Sequence, residues 1–138
     1  MKDILIHAHS GFRWVVLILL ILTLVQALRS RQTGNNGKLP LYTLIAAHLQ
    51  MLGGLALYFL SDFVQFNSAT MKDSLLRFYT VEHSSMMLIA IILITIGYSK
   101  SKKSENSSKT LLTFYGIALL LILLAIPWPF RGLNAGWF

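Results

Sequence analysis

ILIHAHSGFRWVVLILLILTLVQAL, residues 4–28, decides the fold. From Trp14 to Leu24 the only polar side chain is Thr23. A helix rises about 1.5 Å per residue, so roughly 20 residues cross a hydrocarbon core about 30 Å thick. The run spans that thickness with tilt to spare. Val25-Gln26-Ala27 imitates a signal-peptide cleavage site. Yet His7, His9 and Arg13 stand ahead of the most apolar part, a pattern that suits an uncleaved membrane helix better.

Three more apolar stretches follow, Leu39–Phe63, Leu76–Tyr98 and Leu111–Pro127. The last is shorter and stops at Pro127-Trp128-Pro129, where proline removes the backbone donors a helix needs. The expected fold is all-α: one domain, 1–138, an integral membrane four-helix bundle with helices at about 4–28, 39–63, 76–98 and 111–127. Composition agrees, with 55% apolar residues, 12% charged residues and a mean hydropathy of +0.63. A soluble domain this small keeps too much surface to hide that much apolar side chain.

The formal net charge of +7 raises nucleic-acid binding, since Lys and Arg release counterions from phosphates. The cations, however, sit between the apolar runs. Arg29, Arg31, Lys38, Lys100, Lys102, Lys103 and Lys109 fall in the first and third connections, against Lys2, Lys72, Arg77 and Arg131 in the second connection and the two ends. That asymmetry orients a membrane protein and predicts that the first and third connections are cytoplasmic. Both termini then lie on the non-cytoplasmic side, and nucleic acid is not an expected partner. The Asn106-Ser107-Ser108 sequon falls on the inner side and carries no weight. With no cysteine in the chain, thiolate metal sites, iron–sulfur clusters and disulfides are excluded.

Polar side chains inside membrane helices are costly and mark function. His7, His9, Arg13, His48, Gln50, Glu82 and His83 lie in or at the rim of the apolar runs. Counted from the helix midpoints, His9 lies about 10 Å outward, Arg13 about 5 Å, and Glu82 and His83 about 6–8 Å. Those four residues should share one level. The economical arrangement pairs Arg13 with Glu82 and leaves His9 and His83 to coordinate something. Two imidazoles facing each other across a gap suit haem iron, and bundles commonly hold bis-His haem between helices. Arg13, Arg77 or Arg131 would neutralise its propionates. The competing reading has each histidine bonding a carbonyl or serine and merely tying helices together.

His48 is the alternative ligand from the second helix, but its depth is about 5 Å on the cytoplasmic side of the midplane. Gly53-Gly54 follows it, where a helix or a flat ligand can approach closely. His7 is outermost and reads as interfacial. Met86-Met87 reads as gap-filling. Trp14, Phe78, Tyr79, Trp128 and Trp137 read as an outer aromatic belt. The tail after Pro129 is expected to lie on the outer surface, over the polar cluster. No phosphate loop, dinucleotide fingerprint, nucleophile elbow or zinc-peptidase signature is present.

His9-Ser10-Gly11-Phe12-Arg13-Trp14, Arg77-Phe78-Tyr79-Thr80-Val81-Glu82-His83 and Ile126-Pro127-Trp128-Pro129-Phe130 resemble a group of short bacterial four-helix membrane proteins labelled cytochrome b-like. The resemblance covers most of the chain. It implies a haem b-binding respiratory or redox subunit of the bacterial inner membrane, with His9, His48 and His83 as candidate ligands. Two matched pairs of intramembrane histidines, expected of a two-haem cytochrome, are missing, so one haem is the expected load.

Three functional classes follow. The first is electron transfer through one haem b, exchanging electrons with a quinone or a partner in a larger membrane complex. The second is a non-haem accessory or structural subunit of such a complex. The third is an outward-facing copper or zinc site built from His7, His9, Glu82 and His83. His7 and His9 point about 200° apart on a continuous helix, which counts against the third. An electron-transfer or accessory subunit is favoured over a stand-alone enzyme.

Overall fold

Apolar runs of this length can satisfy their backbone only within themselves, so each becomes a helix. The computed structural model describes residues 1–138 and is all-helical. Helix α1 spans Lys2–Arg29, α2 Leu39–Leu60, α3 Ser74–Arg77, α4 His83–Lys103 and α5 Ser107–Ala125. A π turn, Phe78–Glu82, joins α3 to α4 without a break, and a 3-10 turn covers Pro129–Arg131. Four helical segments, Lys2–Arg29, Leu39–Leu60, Ser74–Lys103 and Ser107–Ala125, are long and apolar enough to cross a membrane.

The ends depart from the hydropathy reading because hydropathy registers lipid, not helix. The stretch 99–110, left between the expected third and fourth helices, is mostly helical, with only a tight turn between Lys103 and Ser107. Asn106 caps α5, its side-chain oxygen accepting from the Lys109 amide at 3.0 Å. Asp73 caps α3 in the same way, accepting from the amides of Leu75 and Leu76. Helix α2 stops at Leu60, short of the expected Phe63.

The helices form a ring in the order α1, α2, α4, α5: α1 packs on α2 and α5, and α4 packs on α5 and α2. Helices α1 and α4 are therefore diagonal. With neighbours at the usual 8–10 Å, a diagonal is about 11–14 Å. Lipid tails are as apolar as leucine, so such bundles hold together by close packing and interhelical hydrogen bonds. Small residues supply the packing: Ala46 and Ala47 on α2, Ala90 and Gly97 on α4, and Ala118 and Ala125 on α5 are buried. A Cβ on Gly97 would stand 2.5 Å from Cβ of Phe114, so α4 and α5 meet there at the closest range.

Buried polar atoms supply the bonds. The hydroxyls of Thr23 and Thr43 are 2.8 Å apart between α1 and α2. The Tyr115 hydroxyl donates to the Pro40 carbonyl at 2.9 Å. At the hairpin end, Ser30, Asn36, Ser107 and Ser108 lace the two connections together, with Asn36 Nδ2 donating to Ser107 Oγ at 2.9 Å. Only 25 of 138 residues are buried, and the outward faces carry Ile18, Leu22, Leu49, Leu52, Ile92 and Leu120. Such an apolar periphery suits lipid.

Candidate functional site

His9, Arg13, Gln50, Glu82 and His83 lie toward the end that bears both termini. His9, from the second turn of α1, lays its ring against the Gly53-Gly54 pair of α2. A Cβ on Gly54 would stand 3.0 Å from His9 Cε1, and one on Gly53 3.5 Å from Nδ1. The glycine pair is thus a cradle cut to the imidazole. Nδ1 of His9 is buried with no hydrogen-bond partner. Gln50, one turn earlier on α2, donates from Nε2 to the His9 carbonyl at 2.8 Å and pins the two helices at this level.

His83 begins α4, directly after the π turn. Its Nδ1 bonds the carbonyl of Ala125, the last residue of α5, at 2.7 Å. A helix's final carbonyls lack internal partners, so Ala125 offers a free acceptor. The His83 ring packs against Phe78 at 5.7 Å between centroids and Tyr79 at 6.4 Å. His9 and Arg13 on α1 and His83 at the start of α4 lie toward the same end of the bundle, on diagonal helices.

The expected Arg13–Glu82 ion pair is not formed. Arg13 donates from Nη2 to the carbonyls of Gly136 at 3.0 Å and Trp137 at 2.5 Å, while its Nε is buried without a partner. Glu82 instead accepts from Nε of Arg77 at 2.8 Å. Two physical reasons account for this. The π turn closes through the His83 amide to the Phe78 carbonyl, an i to i+5 bond, and residues five apart then lie nearly one above the other. Arg77 and Glu82 are five apart. Arg13, for its part, sits diagonally across the bundle from α4, and the tail that follows α5 comes back along α1 within its reach.

That tail roofs the site. Trp14 Nε1 also donates to the Trp137 carbonyl at 2.9 Å, and the Tyr79 hydroxyl donates to the Leu133 carbonyl at 2.7 Å. Trp14 stacks on Trp137 at 6.3 Å and meets Trp128 at 6.0 Å. Arg131 folds back onto the carbonyls of Leu124 and Ile126. All three arginines expected to meet propionates, Arg13, Arg77 and Arg131, are therefore engaged by protein oxygens.

His48 is not brought to this level. It is five residues before Gly53, about 7.5 Å along the helix, and its Nδ1 bonds the Leu44 carbonyl of its own helix. His7 is exposed and bonds the Phe138 backbone oxygen at 3.2 Å. No three His, Asp or Glu side chains come together, so the proposed copper or zinc set of His7, His9, Glu82 and His83 is dispersed.

The donor set can be tested against a single haem. Nδ1 of His83 is committed to a carbonyl, which fixes the tautomer and leaves Nε2 for a ligand, the arrangement metal-binding histidines adopt. His9 offers an imidazole whose buried Nδ1 lacks a partner, held in a glycine cradle on the diagonal helix. Two imidazoles from diagonal helices are the donor chemistry that bis-His ligation uses. The arginines, already bonded, fit propionates only if the tail gives way.

Sequence reasoning missed the partners that matter here: the carbonyls of Ala125, Gly136, Trp137 and Leu133, and the Gln50 amide. Gln50 alone carried a signal, as a polar residue inside a span. The chain matches no protein-family model, no curated protein and no solved structure.

Proposed function

We propose that the chain is a membrane electron-transfer subunit that holds one haem b between His9 and His83. The observation that supports it is the pair of imidazoles offered by diagonal helices, His83 with Nδ1 tied to the Ala125 carbonyl and His9 with a buried Nδ1 that has no partner. Bound there, haem supplies a one-electron couple. His83 and His9 would be its ligands, the Gly53-Gly54 pair gives the His9 ring room, and the tail over Trp14 covers the site. The reading includes a bacterial inner membrane location, with both termini on the non-cytoplasmic face and a quinone or a larger membrane complex as the electron partner. The charge asymmetry of the connections supports the orientation.

The test is an absorption spectrum of the full-length protein purified from haem-replete cells. A reducible Soret band is expected, lost or altered in His9→Ala and His83→Ala and kept in His7→Ala and His48→Ala. Protein that is folded and free of porphyrin overturns the proposal. Single cysteines at Asn35 or Asn106 should resist an impermeant thiol reagent in intact cells, whereas one at Asn67 should react.

A second reading rests on Arg13. Its guanidinium is spent on the carbonyls of Gly136 and Trp137, a purely structural use. On that reading the cluster ties the bundle together and the chain is a non-haem accessory subunit. The same spectrum separates the two.

A further inference from the structure

The opposite end of the bundle holds an open cleft of about 430 Å³, between the last turns of α1 and the start of α2. Its lining has two characters. Leu22, Val25 and Leu39 form an apolar wall, and Arg29, Thr33 and Asn35 form a polar mouth. Between them sits Gln26, whose Oε1 is buried without a partner. Arg29 is exposed and forms no ion pair: both ion pairs, Lys2–Asp62 and Arg77–Glu82, lie at the termini-bearing end. The one acid of this end, Glu105, stands in the other connection among Lys100, Lys102, Lys103 and Lys109. No Asp or Glu occurs anywhere between Leu22 and Leu60, while Arg29, Arg31 and Lys38 do. The mouth therefore carries an uncompensated positive field.

An unpaired amide and an unpaired guanidinium above an apolar wall, at the rim of an apolar bundle, describe one kind of ligand. We propose that this cleft binds an anionic glycerophospholipid. Arg29 meets the phosphodiester, Gln26 Oε1 accepts from a hydroxyl of the headgroup, and one acyl chain descends along Leu22, Val25 and Leu39. Basic pockets between membrane helices recognise anionic headgroups in this way, because the charge acts within a few ångströms of the surface. A free phosphate would satisfy the mouth alone. The apolar wall selects the lipid.

Native mass spectrometry of the full chain in detergent, with added phosphatidylglycerol, reads the site directly. Wild type should retain phosphatidylglycerol in preference to phosphatidylcholine. Arg29→Gln should weaken that retention about fivefold, as expected for one cation at a lipid surface. Gln26→Leu should weaken it too. Lys72→Gln, which removes an exposed cation at the opposite end of the bundle, should leave retention within about twofold, since a distant exposed charge is screened. Equal retention by wild type and Arg29→Gln overturns the proposal, as does an equal loss in Lys72→Gln. Displacement of the lipid by equimolar glycerol 3-phosphate also overturns it, because the site would then be one for a soluble anion.

Discussion

Nδ1 of His83 and the carbonyl of Ala125 are 2.7 Å apart, which fastens the first residue of α4 to the last of α5. His48, by contrast, spends its Nδ1 on Leu44 within α2. One bond crosses between helices and the other does not. Interhelical hydrogen bonds in membrane proteins contribute about 0.6 kcal/mol on average and up to about 1.7. His83→Ala should lower the unfolding midpoint in detergent by more than His48→Ala does. Equal midpoints would mean that the tie to Ala125 adds nothing.

The glycines separate close approach from open surface. Ala at Gly97 meets Phe114 at 2.5 Å and should cost about 1–3 kcal/mol by overpacking. Ala at Gly54 presses on His9 Cε1 at 3.0 Å and should disturb the His9 site before it disturbs the fold. Nothing lies within 4 Å of a Cβ at Gly11 or Gly116. There the change should be neutral or stabilise by about 0.5–1 kcal/mol, since glycine inside a helix is poorer than alanine. Denaturation of the four variants side by side checks the ordering.

Glu82 pairs with Arg77 on a half-exposed surface, the side chains being 43% and 38% accessible. Ion pairs so placed contribute about 0–1 kcal/mol. Glu82→Gln should therefore be tolerated about as well as Asp62→Asn, which breaks the exposed pair with Lys2. A collapse in folded yield for Glu82→Gln alone would restore a buried partner for it.

Arg13 holds the tail by two bonds, and Trp14 adds a third. Arg13→Gln should loosen Gly132–Phe138, and limited chymotrypsin digestion should then cut near Trp137 several-fold faster. Unchanged cleavage would show that the Trp14–Trp137 stacking suffices.

The four long helices were legible because hydropathy reports what lipid demands of a backbone, and Trp14–Leu24 leaves no alternative. That His9, Arg13 and His83 lie toward the end that bears both termini was legible as well, since position along a helix follows from a count of residues. Pairing was not. Side-chain charge suggested Arg13 with Glu82, but carbonyl oxygens are present at every residue and leave no mark in a sequence. The Ala125 and Trp137 carbonyls won because helix ends and returning tails leave their oxygens free. The π turn was hidden for a related reason: Phe78–Glu82 reads as ordinary helix, and only the five-residue bond from His83 to Phe78 distinguishes it.

That turn also sets an angular phase. Each residue in an α-helix advances the chain by about 100°. Losing any one residue from Phe78–Glu82 would let the segment wind as plain α-helix and swing α4 by about that angle against Ser74–Arg77. Ala90, Ile94 and Gly97 would turn from α5 toward the periphery, and His83 would leave the Ala125 carbonyl. The connection at 61–73, which has no helical phase to keep, should absorb the same deletion. Insertions and deletions around this helix should therefore be accepted on one side of Ser74 and refused on the other, whatever the hydropathy of the residues involved.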